Sequence, residues 1–254
     1  MLLAADIGNT NITLGIFEDD KLRASWRLFT DVDKMADEYA ALLMNLLSHQ
    51  GLAITDIKDA AVCSGVPPLV PVFQEVCRRY LGTSALVVGA GIKTGVRILY
   101  EDPRQVGPDR VVDAAAAFRL YGGPVIVVDF GTGTVFDAIS KEGDYLGGAI
   151  APGIRIAADA LSQRTAVLPR IELVAPKQAI GRNTVSSMQS GIMFGYVGLI
   201  EGIVARFRKE LGEPARVVAT GGLAEVIAKE APIIDIVDVN LTLVGLRLIH
   251  ELNR

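Results

Sequence analysis

Histidine, cysteine and runs of positive charge are scarce in this chain, and each scarcity closes off a class of function. The two histidines, His49 and His250, fall in helical stretches far from any serine motif, so a hydrolase triad is unsupported. The two cysteines, Cys63 and Cys77, have no partner histidine nearby and no metal-finger spacing. That excludes a zinc site or a disulfide framework and leaves two reduced, buried thiols. No run of Lys or Arg stands out in a chain of net charge −4, so no nucleic-acid partner is indicated. The start, MLLAADIG, turns acidic too soon for a signal peptide. The longest charge-free run, Asn183 to Ile200, carries Asn, Thr, Ser and Gln and makes a poor membrane span. No GxxxxGK[ST] occurs, and GAGIKTG at 89–95 has its third glycine displaced and leads into the extended VRILY, so neither a P-loop nor a dinucleotide loop is present. The expectation is a cytoplasmic protein with no nucleic acid and no membrane among its partners.

What is present is apolar substance and a repeat. Half of the 254 residues are hydrophobic and 21% are charged, enough to build a sizeable core. MLLAADIGNTNITLGIF returns as VIVVDFGTGTVFDAI. Asp6 aligns with Asp129, Gly8 with Gly131, Asn9 with Thr132 and Asn11 with Thr134. Each time, three strand-like runs are followed by helix and further strand: 2–5, 12–17 and 22–27, then 125–129, 135–140 and 145–151. Helical periodicity marks 38–51, 70–80, the stretch after Gly107, about 185–211, 223–229 and 241–252, with strands at 60–63, 85–88 and 216–219. No linker rich in Pro, Ser or charge separates the halves. The simplest architecture is two similar α/β lobes meeting face to face, 1–122 and 123–254, with the last helix able to pack back on the N-terminal lobe.

Three places carry chemistry. A glycine turn between strands exposes backbone N–H groups that can cradle phosphate, and a neighbouring Asp suits such a place once a cation is added. A tight hairpin whose Asp bonds its own backbone would explain either turn alone; the recurrence argues for more. Thr220-Gly221-Gly222, after an apolar strand, lets a nucleotide base or ribose pass close to backbone. In VGPDR, Asp109 falls in the first turn of a helix opened by Pro108, where the dipole favours a carboxylate. It can accept a hydroxyl proton late in phosphoryl transfer, and Arg110 can clamp an anion. A helix start with a favourable acid is the plainer reading. Third, Asn183-Thr184 precedes a long helix, which fits a capping role for Thr184. Gly191, Gly195, Gly198 and Gly202 inside that helix each cost about 1 kcal/mol against Ala. Contact between subunits or packing within one lobe would explain them.

The ordered set DIGNTNITLGIF, YEDPRQVGPDR, DFGTGTVFD, YLGGAIAPGI, RTAVLP and GRNTVSSMQSGIMFGYVG resembles the type III pantothenate kinases along essentially the whole chain. The resemblance implies the actin-like, sugar-kinase-like ATPase superfamily: α/β, two duplicated ribonuclease-H-like lobes with a central cleft. It implies ATP-dependent phosphorylation of pantothenate, the first step towards coenzyme A. The first lobe would carry the first phosphate loop and the base; the second would carry the second loop, the nucleotide glycine pair and a dimer helix. Asp6, Ile7, Gly8, Asn9, Thr10, Asn11, Ile12 and Thr13 would form the first phosphate loop, with Asp6 near Mg²⁺. Thr132 would contact ATP alongside Gly221 and Gly222, and Asp129 would hold a monovalent cation, K⁺ or NH₄⁺. Asp109 would be the catalytic base. Tyr100, Gly107, Pro108, Asp109 and Arg110 would line the pantothenate pocket, completed by Thr184 of a neighbouring subunit in a homodimer. One departure is visible: the family often has a hydroxyl residue where this chain has Val135, and with Thr134 present only a small change in the loop is expected. Two other readings stay open. One is a kinase of the same superfamily for another small hydroxy acid or sugar; the other is a non-catalytic nucleotide-binding accessory factor.

Overall fold

β1 (Leu2–Ile7) is apolar at every position but Asp6, the pattern of a strand covered on both faces. The computed structural model describes every residue from Met1 to Arg254, and it divides the chain into two compact units. Unit 1 holds Met1–Val96, Glu101–Ala116 and Leu241–Arg254; unit 2 holds Arg97–Tyr100 and Ala117–Asn240.

In unit 1, β1 leads through a turn into β2 (Asn11–Glu18) and β3 (Lys21–Phe29). Then come α1 (Ala36–His49), β4 (Asp59–Ser64), α2 (Leu69–Val76) and β5 (Ala85–Val87). The sheet order is β3-β2-β1-β4-β5, with β1 antiparallel to β2 and parallel to β4. Alternation sorts β1 onto two cores. Leu3, Ala5 and Ile7 pack with Tyr39, Leu43 and Leu47 of α1 and Leu69 and Phe73 of α2. Leu2 and Ala4 face the other way, against Val112 and Ala115 and against Leu243, Leu246 and Ile249. Asp6 shares that second face, at the C-terminal end of its strand.

In unit 2, β6 (Arg97–Ile98) and the end of α3 (Pro108–Tyr121) precede the repeat. It consists of β7 (Val125–Phe130), β8 (Gly133–Ile139), β9 (Asp144–Pro152), α4 (Ile154–Arg164), α5 (Thr184–Leu211), β10 (Arg216–Gly221), α6 (Ala224–Ala228) and β11 (Ile236–Val237). The sheet order is β11-β10-β7-β8-β9-β6. Read from the other side, β9-β8-β7-β10-β11 repeats the order and directions of the unit 1 sheet. α5 is the one helix long and apolar enough by length and composition to cross a membrane. Its Ile192, Met193, Tyr196, Ile200 and Val204 pack instead against Ile126, Val128 and Val217 in the core of unit 2.

The division differs in detail from 1–122 and 123–254. α3 is one continuous helix that passes from unit 1 into unit 2 between Ala116 and Ala117. The last helix, α7 (Leu241–Leu252), belongs wholly to unit 1. Its apolar stripe finds there the face of β1 and β4 that bears Leu2, Ala4 and Ala61.

Candidate functional site

Residues 6–13 form a strand end, a turn and a strand start. Ile7 and Ile12 are fully buried in the core beneath α1 and α2, so only their backbone can serve a ligand. Gly8 N–H donates to the Asn11 carbonyl at 3.0 Å and closes the turn. Asn9, Thr10 and Asn11 are exposed. Thr30, buried just after β3, fastens the turn from behind. Its Oγ1 donates to the Gly8 carbonyl at 2.6 Å and its N–H to the Thr10 carbonyl at 3.1 Å. With those carbonyls turned back, the turn is organised as a donor loop for anions. Thr13 stands directly opposite Asp6 in the β1–β2 ladder.

Asp6 is partly buried, and burial together with the negative charge of Asp109 raises its pKa from 3.8 to about 7; the hydrogen bond from Cys63 pulls the other way. Cys63 Sγ donates to Asp6 Oδ1 at 3.3 Å. Burial, and then the charges of Asp6 and Asp109, push that thiol well above its ordinary pKa, so it stands as a neutral donor. Gly107, Pro108, Asp109 and Arg110 open α3 in the same unit. Asp109 Oδ1 accepts the Arg110 N–H at 2.9 Å. A side chain at Gly107 would collide with that same oxygen, so only glycine leaves the carboxylate its place.

The second acidic turn, in unit 2, has a different setting. Asp129 lies beside Gly131 and Gly221. Gly221 has φ +88°, and a Cβ there would strike Asp129 Oδ1 and the Phe130 backbone. The glycine pair read from the sequence as a nucleotide-base contact is thus, at Gly221, also the wall against which Asp129 rests. Thr132 is exposed, and its carbonyl accepts the N–H of Gly153, which caps α4, at 3.1 Å. Val135 stands directly opposite Asp129 in the β7–β8 ladder, whereas Thr134 pairs with Phe130 and its side chain lies on the other face. The Thr134 hydroxyl is buried without a hydrogen-bond partner. It therefore does not replace a hydroxyl at position 135.

Tyr100 belongs to unit 2, its ring tilted against that of Tyr145 with centroids 6.3 Å apart. Thr184 is the first residue of α5 and exposed. The cap is Asn183, whose side chain accepts the Ser186 N–H at 2.9 Å; this corrects the capping role expected of Thr184. Thr184 lines a cavity of about 730 Å³ with Leu161, Leu168, Gly181, Met188 and Ile192, and none of the other expected site residues reaches it.

The structure therefore brings Asp6, the turn, Asp109 and Arg110 together in one unit, and Asp129, Thr132 and Gly221 in the other. Sequence reasoning missed Thr30, Cys63 and Gly153. Cys63 lies near the end of β4, which pairs with β1, Thr30 follows β3, which pairs with β2, and Gly153 follows β9; strand register was the signal that could have found the first two. No cluster of three or more His, Cys, Asp or Glu side chains forms a metal cage. A Mg²⁺ that keeps its waters and takes phosphate oxygens needs only one carboxylate, and the desolvated, doubly acidic surroundings of Asp6 suit such a cation.

The chain as a whole is similar to known proteins. A family model described as type III pantothenate kinase matches residues 2–206. A type III pantothenate kinase of Moorella thermoacetica is 54% identical over 253 residues, covering 100% of both chains. Among solved structures, the activator of the 2-hydroxyisocaproyl-CoA dehydratase from Clostridium difficile with bound ADPNP superposes with a TM-score of 0.57 at 14% identity, over 99% of this chain and 95% of that one. The ROK hexokinase from Thermus thermophilus does so with 0.51 at 13% identity, over 100% and 99%. These two likenesses establish the fold, two α/β units of repeated strand order. The full-length sequence match goes further: this chain belongs to the type III pantothenate kinase family.

Proposed function

We propose that the chain phosphorylates pantothenate with ATP, giving 4′-phosphopantothenate and ADP, the opening step of coenzyme A synthesis. Family membership along the whole chain carries this reading. The pairing of Asp6 with Asp109 in unit 1 supports the assignment of roles.

The turn at Gly8–Asn11 takes phosphate oxygens through backbone N–H groups. Asp6 would hold Mg²⁺ directly or through water, and such an ion would offset phosphate charge. Thr132 and the Gly221-Gly222 pair would contact the nucleotide, and Asp129 would hold K⁺ or NH₄⁺. Asp109 orients the pantothenate 4′-hydroxyl. As the hydroxyl oxygen bonds the γ-phosphorus and the bond to ADP breaks, the hydroxyl proton passes to Asp109. A weak base suffices, because the transition state is largely dissociative and the proton moves late. Arg110 balances charge beside the transferred group or the substrate carboxylate.

Tyr100, Gly107 and Pro108 complete the acceptor pocket, with Thr184 supplied by a second copy of the chain. A homodimer is supported by α5, where a Cβ at Gly191, Gly195 or Gly198 would meet nothing within 4 Å in the single chain. Residues kept small with no intrachain reason fit an opposed surface. A cytoplasmic location fits an enzyme of this family.

ADP release by the pure protein tests the reading. It should require pantothenate, and Asp109→Asn should lose at least about a hundred-fold in kcat while still binding ATP. Turnover with a sugar or another hydroxy acid but not pantothenate would shift the substrate assignment. No turnover with any acceptor would leave a nucleotide-binding factor.

A further inference from the structure

We propose that Cys63 is a positioning residue for phosphoryl transfer, its thiol fixing which oxygen Asp6 turns toward the metal-bound phosphates. This rests on the reading of Asp6 as the Mg²⁺ carboxylate. Asp6 and Cys63 are direct partners in the parallel β1–β4 ladder. Neighbouring strands lie about 4.8 Å apart, and partners project to the same face of the sheet. Across that gap Cys63 Sγ donates to Asp6 Oδ1 at 3.3 Å. An Asp at a strand end can otherwise turn about χ1 and χ2 and offer either oxygen; a fixed donor on Oδ1 leaves Oδ2 for the cation or its water.

Cys63 itself is well held. It is fully buried among Leu2, Ala4, Ala61, Val112 and Leu246. The end of β4 is tied by Gly65 N–H to the Ile7 carbonyl at 2.9 Å and by Val66 N–H to Ser64 Oγ at 3.0 Å. The other half of the molecule provides an independent observation. There Thr220 is the partner of Asp129 in the parallel β10–β7 ladder and is buried. A small side chain with a polar hydrogen thus stands beside the acid in both repeats, although the residues that follow differ, Ser64-Gly65 against Gly221-Gly222. Packing alone requires only the volume, which Val or Ala would supply; a donor at both places is what packing does not ask for.

Cys63→Ala, Cys63→Ser and Asp6→Asn separate the possibilities. Mg²⁺ is titrated into protein and the non-hydrolysable ATP analogue AMP-PNP in a calorimeter, with steady-state kinetics alongside. Cys63→Ala should need about five-fold more Mg²⁺ for half-maximal nucleotide binding and lose about five-fold in kcat, with KM for pantothenate unchanged. Cys63→Ser should recover to within about two-fold of the parent. Asp6→Asn should lose the Mg²⁺ dependence. A parental Mg²⁺ response in Cys63→Ala, or equal defects in the Ala and Ser variants, overturns the role of Cys63 while that of Asp6 stands. An unchanged response in Asp6→Asn overturns both. Should the alanine variant fail to fold, Cys63→Val keeps the volume, removes the donor and is read by the same titration.

Discussion

At the scale of the residue, Asp6 carries a clear electrostatic cost. Its pKa lies near 7 in the folded protein against 3.8 when free, because burial and Asp109 both disfavour its charge. Below 3.8 both states hold the proton. Between 3.8 and about 7 the unfolded chain releases it and the folded chain keeps it, so stability falls as pH rises across that window and levels off above it. Asp6→Asn removes the group and should remove that loss. The variant and the parent should melt together at pH 4, and without ligand the variant should melt roughly 5 °C higher at pH 8, equivalent to about 2 kcal/mol. With saturating Mg²⁺ and ATP the order should invert, since only the parent gains the full binding energy of the metal complex. A melting difference equal at the two pH values would show that the cost does not come from ionisation. The acid was legible in the sequence because its turn repeats. Its setting was not: Cys63 and Thr30 reach it only through strand pairing, and a cysteine read alone is a small buried hydrophobe.

At the scale of the element, the strands that carry the turns were legible because each shows apolar alternation over several residues. β1 to β3 and β7 to β9 lie within a few residues of where the pattern puts them. β11 has two residues and no period to read. The 70–80 helix ends at Val76 and continues as a wide π turn through Leu81 before Gly82, φ +67°, stops it. α5 was legible as a helix, but its glycines stayed ambiguous, since spacing does not say what a small residue faces. The structure narrows the choice. Gly191, Gly195 and Gly198 have open space where a side chain would stand, while Met193, Tyr196 and Ile200 of the same helix are buried. Within a lone chain, Gly195→Ala should be tolerated or should stabilise by up to about 1 kcal/mol, as at any exposed helix position. Against a partner, bulk is harmful. Gly195→Leu should therefore sediment as a folded monomer under conditions where the parent is a dimer, and it should lose activity, because Thr184 no longer reaches a neighbouring site. A monomeric parent, or a dimeric and active Gly195→Leu, would remove α5 from the interface.

At the scale of the whole molecule, duplication explains why the same acidic turn is built twice, and its divergence explains why the two copies need not do the same work. Both units share the strand order and place an Asp at the end of the central strand. The helix after the fifth strand differs. In the first repeat it opens Pro108-Asp109-Arg110, and in the second it opens Leu241-Thr242-Leu243, with no acid or base to assist transfer. Asp6 accordingly stands beside a second carboxylate, while Asp129 rests against glycine backbone at Gly131 and Gly221. On the proposed reading the divalent ion sits at Asp6 and the monovalent ion at Asp129. Two variants should then split the ion requirements. In the parent, ADP release should rise when K⁺ replaces a bulky organic cation at constant ionic strength. Asp129→Asn should flatten that response and raise KM for ATP about ten-fold, with its Mg²⁺ optimum unmoved. Asp6→Asn should lose most of its turnover, and what remains should still respond to K⁺. If Asp129→Asn kept the full K⁺ response, the monovalent ion would have to be placed elsewhere, and the second turn would be left to act through its backbone alone.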